Sequence, residues 1–415
     1  MDNTNPFFSK IFIDTWTKHF RNGEEPLIFD SITSVNFLPK KRKLFYYNVG
    51  KNITNGTSYQ LIETENNCRD KVFLIYDVLS YQDQWKNKKV DHPFLKVKKV
   101  PQYKGHLTNL SGYKNFEDFF SHHFSSKSRS NIRKWNKRFK ENFNTEFQVF
   151  YGEIELEEYN RIFDSLINII QKRWDDLEKE NNILQKQVYY RELCYKMILD
   201  KKASLNVLYA NDEIVSASVC FNSSKELFFA ITTFDIDFRK YNLGHLLIMY
   251  IMQWCFENGI EIFDYSKGTY EYKMRWSNTV YDFEHHVIYD KNSIRSIMTG
   301  NLLVFFFKMK QFLRDQNVNI LYSKWKYWIN TLNLRSRKKQ IIHIKDIPQH
   351  NVKMANLFLL EHNSEEFLRL RPIICDLIFS NPQPFSTIKV YRKDETNRFV
   401  VVGSNFYKEV EFRNR

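Results

Sequence analysis

Residues 226–265 read ELFFAITTFDIDFRKYNLGHLLIMYIMQWCFENGIEIFDY, and the pattern changes three times within them. Glu226–Thr233 is rich in aromatic and β-branched residues, which predicts a strand. Phe234–Leu243 is polar and charged, and reads as a loop. The run from Gly244 to Asn258 is apolar and too long for a strand, so it predicts a helix, and Gly259 follows as a left-handed stop. Ile260–Tyr265 predicts a second strand. The loop end Arg239-Lys240-Tyr241-Asn242-Leu243-Gly244-His245 is where chemistry can sit. Backbone N–H groups at a helix start attract phosphate oxygens, Gly244 allows close approach, and Arg239 and Lys240 add charge. A turn holding one Gly and one Arg also occurs without any ligand, so the surroundings decide.

Upstream, Ser204–Ala210, Ile214–Asn222 and Glu226–Thr233 form a meander with polar turns at Asn211-Asp212 and Ser223-Ser224-Lys225. Two helical segments, Leu156–Glu180 and Lys186–Lys201, precede it, and Phe147–Tyr151 is a strand. Asn115–Asn142 carries Phe116, Phe119, Phe120, Phe124, Ile132, Trp135 and Phe139 near one face and predicts a single long helix. Phe7–Phe20 predicts an opening amphipathic helix. Short strands follow it at Pro26–Phe29, Lys43–Val49, Tyr59–Glu63, Lys71–Leu79 and Tyr103–Leu110. Downstream, Val280–Tyr289 is a strand, Ile294–Lys345 is basic, aromatic and helical, and residues 346–415 combine a helix near Glu361–Arg369 with strands at Thr387–Tyr391 and Phe399–Val402.

The chain's 415 residues suffice for about two to three domains. Apolar residues at 43% and aromatics at 17% exclude a mostly disordered chain, and 11 glycines with 9 prolines exclude collagen-like or linker-rich proteins. Sixty-two Lys and Arg against 48 Asp and Glu leave a formal net charge of +14, which favours anionic partners. The five cysteines are scattered and suggest no disulfide framework, and no run is long and apolar enough to cross a bilayer. The expectation is a cytoplasmic protein with peripheral contact at the membrane's inner face.

The meander, the loop and helix, the next strand and the run Gly268-Thr269-Tyr270-Glu271-Tyr272-Lys273-Met274-Arg275-Trp276 resemble the GNAT acyl-CoA N-acyltransferase superfamily. Within it they look most like the acetyltransferases of cellulose and exopolysaccharide biosynthesis (CelD/BcsL-like), which are similar in architecture to Fem-type aminoacyl-tRNA transferases. Arg239 takes the first position of the family's pyrophosphate loop, Asn242 replaces its first Gly, and Gly244 takes its second. Asn tolerates positive φ better than other non-Gly residues. The basic stretch Lys127-Ser128-Arg129-Ser130-Asn131-Ile132-Arg133-Lys134 and the run Gly259–Gly268 continue the likeness, which spans roughly residues 115–289.

The resemblance implies an α+β fold with tandem GNAT halves and a basic helical C-terminal extension. Its divisions are a degenerate first half over 1–114, a basic connecting helix over 115–145, an acyltransferase domain over 146–293, the basic aromatic segment 294–345 and a small α/β extension over 346–415. It also implies acetyl-CoA or another acyl-CoA as donor, with Ile231, Thr232 and Thr233 along the pantetheine arm, Phe234 near the carbonyl, and Arg239, Lys240, Tyr241, Asn242, Leu243, Gly244 and His245 at the pyrophosphate. No metal is implied. Tyr272 is the first choice to protonate the leaving thiolate, with Tyr270 behind it, and Asp264 is the base candidate, directly or through water. Both tyrosines also suit a core, and Asp264 also suits a turn cap. Lys273, Arg275 and Trp276 are candidates for contacting the acceptor, an amino sugar, nucleotide sugar or envelope precursor by family association. Two other functions stay open: transfer from aminoacyl-tRNA, and a non-catalytic scaffold on membrane or polysaccharide machinery.

His122-His123 and His285-His286 lack the neighbours of a metal site and read as structural. The helix Ser125–Lys140 suits either phosphate contact or a solvated face. In Ile294–Lys345, basic residues interleave with aromatics, which suits either an anionic membrane surface or a helix packed on the catalytic block.

Overall fold

The structure is a computed structural model and describes residues 5–40, 45–62, 67–82, 92–177, 181–316, 341–348, 357–393 and 397–413. Its first twelve strands, β1 (Leu27–Phe29), β2 (Ile32–Pro39), β3 (Tyr46–Asn48), β4 (Gln60–Leu61), β5 (Val72–Leu79), β6 (Leu95–Asn109), β7 (Thr145–Phe150), β8 (Ala203–Ala210), β9 (Glu213–Asn222), β10 (Glu226–Phe234), β11 (Ile262–Lys267) and β12 (Thr279–Asp290), join one sheet. The order is 1-2-3-5-12-6-11-10-9-8-7, with β4 against β2. The chain's two halves are therefore not separate bodies. β6 from the first half lies between β11 and β12 of the second, and the 15-residue length of β6 lets it bond to both.

Helices cover both faces. On one side α7 (Leu243–Glu257) packs between β8–β10 and the pair α2 (Phe116–His123) and α3 (Ser126–Asn142). Enclosure on both sides explains why α7 is apolar around most of its circumference, with Leu246, Leu247, Ile251, Met252 and Cys255 fully buried. On the other side α1 (Lys10–Arg21), α4 (Leu156–Asp176), α6 (Gln187–Leu199) and α9 (Ile294–Asp315) cover the sheet, while α5 (Asn182–Gln185) joins α4 to α6. The short α8 (Glu271–Trp276) follows β11. Residues after 340 supply β13 (Ile341–Asp346), β14 (Leu357–Leu359), α10 (Glu365–Ser380), β15 (Lys389–Lys393), β16 (Arg398–Val402) and β17 (Tyr407–Arg413), with the five strands in the order 13-17-16-15-14.

Several elements differ from expectation. The long helix over Asn115–Asn142 is two: Phe124 is extended, and Ser125 caps α3 by accepting from the Ser128 N–H at 3.3 Å. The loop after β10 holds a 3-10 helix, Ile236–Tyr241. Tyr272 stands on α8, a helix not expected between the strands at 260–265 and 280–289. The last helix runs from Glu365 to Ser380, past Pro372, rather than stopping near Arg369. Of the segment 294–345, α9 and β13 are described; Lys324, Trp325, Lys326, Tyr327, Trp328, Arg335, Arg337, Lys338 and Lys339 lie outside the described residues.

Candidate active site

Strands β10 and β11 pair in parallel through only three positions, Glu226 with Ile262, Leu227 with Phe263 and Phe228 with Asp264. Beyond them the strands part. β10 continues to Phe234 bonded to β9, shifting register between Phe229 and Ile231, while β11 stays with β6. The opening exposes main-chain N–H and C=O groups of β10 between Phe229 and Phe234 along one edge, to which no described strand pairs. Ile231 turns into the core and Thr232 is half-buried. Thr233 is buried with its hydroxyl lacking a partner. A buried hydroxyl left unmatched costs about 1–3 kcal/mol, so it is a polar atom suited to a ligand.

The loop closing this edge carries the N-terminus of α7, where the Leu243 and Gly244 N–H groups precede the first intrahelical acceptors. Asn242 adopts φ 51° and ψ 47°, the left-handed conformation expected of a residue in place of glycine. A Cβ on Gly244 would come within 3.2 Å of the Phe234 ring, a tight contact that the ring must yield to by a few tenths of an ångström. The Arg173 guanidinium lies over that ring, 4.2 Å from its centroid.

The loop is fixed from beneath by charge. Asp235 and Asp237, both 5% exposed, share Lys172 from α4 and Arg371 from α10. Arg239 and Lys240 are exposed, and their partners Asp176 and Asp376 are exposed acids. Two side chains expected at the pyrophosphate are elsewhere. Tyr241 is fully buried, its hydroxyl between the Asn142 amide at 2.6 Å and the Cys375 carbonyl at 3.3 Å, and Leu243 is core. An aromatic residue in a 3-10 turn one side of which faces α3 and α10 has nowhere else to point.

His245 does not face the loop's outer side either. Its Nδ1 accepts from the Trp276 indole N–H at 2.8 Å, and its ring stacks on Trp135. Burial, with Arg275 adding to it, lowers its pKa to about 4, so the imidazole is neutral. Trp276 is fully buried against Phe124, which places it in the core and not on an acceptor. Arg275 lies over Trp135, 5.7 Å from the ring.

Asp264 sits where the strands part, and is fully buried. Its Oδ2 accepts from the Tyr281 hydroxyl at 2.5 Å and the Tyr81 hydroxyl at 3.3 Å, and its Oδ1 from the Ser266 N–H at 2.6 Å. Burial raises its pKa to about 7; the hydrogen bonds from Tyr281 and Ser266 oppose the shift. Tyr281 belongs to β12 and Asp264 to β11, with β6 between them. The ring crosses β6 at Gly105, where a Cβ would lie 2.3 Å from it. Lys273, also buried, donates to the Ser266 and Lys267 carbonyls, and burial lowers its pKa to about 8. Tyr272 stacks with the exposed Tyr270 at 6.2 Å, and burial raises its phenol pKa. His106 adds 3.4 Å contacts to Thr269 and Ser277.

Tyr81, Tyr281, Gly105, His106 and Arg173 carried no signal in the sequence. They reach the site by long-range strand pairing and by one helix, and no local pattern marks them.

Among the described residues no group of three His, Cys, Asp or Glu side chains could hold a metal ion.

Residues 126–274 match the family model of an acetyltransferase (GNAT) domain. The matched GNAT segment runs from α3 to α8 and contains the parting strands, the loop and Asp264, and the chain has a GNAT-like α+β fold. Among solved structures, a conserved protein of unknown function from Bacteroides thetaiotaomicron VPI-5482 is similar at 10% identity, covering 69% of this chain and 92% of that one with a TM-score of 0.45. FemX is similar at 11% identity, 68% and 91% coverage and a TM-score of 0.46. L-PGS from Bacillus licheniformis is similar at 13% identity, 66% and 85% coverage and a TM-score of 0.40. No curated protein matches the sequence.

Proposed function

We propose that the protein is an acyl-CoA-dependent N-acyltransferase, acetyl being the simplest acyl group, acting on an amino group of a sugar, nucleotide sugar or envelope polysaccharide precursor. The observation that supports this most is the parting of β10 and β11 after Phe228 and Asp264, with the edge of β10 leading to the N-terminus of α7. Main-chain groups of Phe229–Phe234 suit an extended amide-bearing arm, as an edge strand suits a peptide. The N–H groups of Leu243 and Gly244, with exposed Arg239 and Lys240, suit a pyrophosphate.

The bound donor would supply an activated thioester carbonyl. The chain's part is to hold it, deprotonate the amine and protonate the leaving sulfur. Asp264, poised near neutrality, takes a proton; being enclosed, it acts through the Tyr81 or Tyr281 hydroxyl or through water. Tyr272, whose raised pKa keeps its phenol protonated, gives one up. The acceptor class rests on the likeness to the exopolysaccharide acetyltransferases.

Calorimetric titration with acetyl-CoA tests the donor site. The wild type binds, and Gly244→Val, which drives a branched side chain into Phe234, weakens binding by about tenfold or more. Equal affinity in a folded Gly244→Val protein overturns the assignment. CoA release in a screen of amino sugars then tests the acceptor class.

A further inference from the structure

Helix α9 has two apolar faces, and the sheet uses one. Ser296, Gly300 and Phe307 are buried on the β12 side, with the Gly300 backbone against the Tyr289 ring. The opposite face carries Ile294, Met298, Leu302, Phe305, Met309 and Phe312, from 44% exposed at Met309 to 77% at Ile294. At the α-helical turn per residue these six fall within about 80° of arc, a stripe running the length of the helix. A soluble surface rarely leaves so continuous an apolar patch uncovered.

Charge identifies what fits it. The helix holds four cations, Arg295, Lys308, Lys310 and Arg314, against the single acid Asp315. Along its flank opens a cleft of about 260 Å³ lined by Lys96, Lys98, Lys291, Tyr289, Ile297 and Asn301, with no acidic residue among them. Ile297 and Asn301 belong to α9, so the cleft borders the stripe. Lys96 and Lys98 stand two apart on β6 and share a face of the strand. Lys291 donates to the His92 carbonyl at 3.0 Å and keeps further hydrogens to donate. A second copy would set this basic helix against another like it. Residues 317–340 contain no acid at all, so they offer no charge complement either.

We propose that α9 lies in the plane of an anionic lipid bilayer, with its apolar stripe at the acyl-chain boundary and the lysines of the cleft on lipid phosphate. An apolar stripe flanked by cations is the arrangement that binds such a surface. Among the described residues no helix is long and apolar enough to cross a membrane, so the contact is in-plane. This docking is independent of the acyl-transfer chemistry.

Flotation of the full chain with phosphatidylcholine vesicles, with and without phosphatidylglycerol, tests it. The wild type floats with the anionic vesicles at low salt and is released at about 1 M salt, where screening is short-ranged. Lys96→Glu with Lys98→Glu and Lys291→Glu weakens binding to anionic vesicles by about tenfold or more. Phe305→Ser with Phe312→Ser does the same, and because these two side chains are exposed, that variant keeps the wild-type melting temperature. Failure of the wild type to float on anionic vesicles overturns the proposal, as does equal binding to pure phosphatidylcholine or binding unchanged in either variant. A concentration-dependent dimer that Phe305→Ser with Phe312→Ser dissociates also overturns it, by making the stripe an interface between copies.

Discussion

The Trp276 indole N–H donates to His245 Nδ1 at 2.8 Å, joining the last residue of α8 to the first turn of α7. Because α8 follows β11 and α7 follows β10, this bond crosses the parting of the two strands. It ties Tyr272 and Lys273 to the helix start. The residues expected to touch donor and acceptor separately instead set the geometry between the two places.

Removing that bond has a pH signature. The folded-state pKa of His245 is depressed to about 4, below the unfolded value near 6.5. The folded state therefore binds fewer protons there, and the contribution to stability is present above about 6.5 and lost as pH falls toward 4. Trp276→Phe leaves Nδ1 buried without its donor and costs about 1–3 kcal/mol at neutral pH. Its stability also depends less steeply on pH between 6.5 and 4. Urea unfolding of both proteins at several pH values measures this, and identical slopes would show that burial, and not the indole bond, sets the His245 pKa.

Asp264→Asn separates chemistry from stability. Its folded pKa of about 7 lies above the unfolded value, so this group favours folding most at low pH, and that contribution is lost as pH rises through 7. Asparagine removes the buried charge, and the variant equals or exceeds the wild type in stability above pH 7. Its acyl-transfer rate falls by about a hundredfold or more, and the rise in wild-type rate through pH 7 disappears. An unaltered pH–rate profile in Asp264→Asn assigns the base elsewhere.

Gly105→Ala reaches the same carboxyl from a distance. The new methyl meets the Tyr281 ring and pushes its hydroxyl from Asp264, with an overpacking cost of about 1–3 kcal/mol. Tyr281→Phe removes the hydroxyl without the clash. The double variant Gly105→Ala with Tyr281→Ala removes the ring altogether, and its loss of thermal stability is smaller than the sum of the losses in Gly105→Ala and Tyr281→Ala alone. Strict additivity in melting experiments would mean that β6 moves aside instead.

Much of this architecture was legible because periodicity and turn chemistry are local. The strand–loop–helix–strand over 226–265, with Asn242 left-handed, follows from residue types within a few positions of one another. What escaped reading depends on partners far along the chain. Ser125 looked like one more polar residue on a basic helix until Phe124, buried against Trp276, turned it into a cap. Tyr241 and Trp276, polar-edged aromatics next to basic residues, look like ligand contacts in sequence. The packing of α3 and α10 makes Tyr241 core, and Phe124 between α2 and α3 does the same for Trp276. Asp264 was visible as a candidate, but the two tyrosines on it come from β12 and from the turn after β5.

The extension after residue 340 gains a role from Arg371. Its guanidinium reaches Asp235 and Asp237, both buried at the start of the loop, and Glu213 at the start of β9. Lys172 is the other cation on the two aspartates. Arg371→Met keeps the aliphatic bulk of the side chain and leaves two buried carboxylates with one partner. Breaking such a pair costs about 3–5 kcal/mol, because the remaining charge is desolvated without compensation. The loop can lower that cost by swinging Asp237 toward water, which displaces Arg239, Lys240 and the start of α7. Acetyl-CoA affinity therefore falls in Arg371→Met although residue 371 is not placed on the donor. The triple variant Asp235→Asn, Asp237→Asn, Arg371→Met removes the uncompensated charges and recovers stability and donor affinity together. Calorimetry and thermal denaturation of the pair measure both, and recovery of stability without affinity would make α10 a support for folding alone.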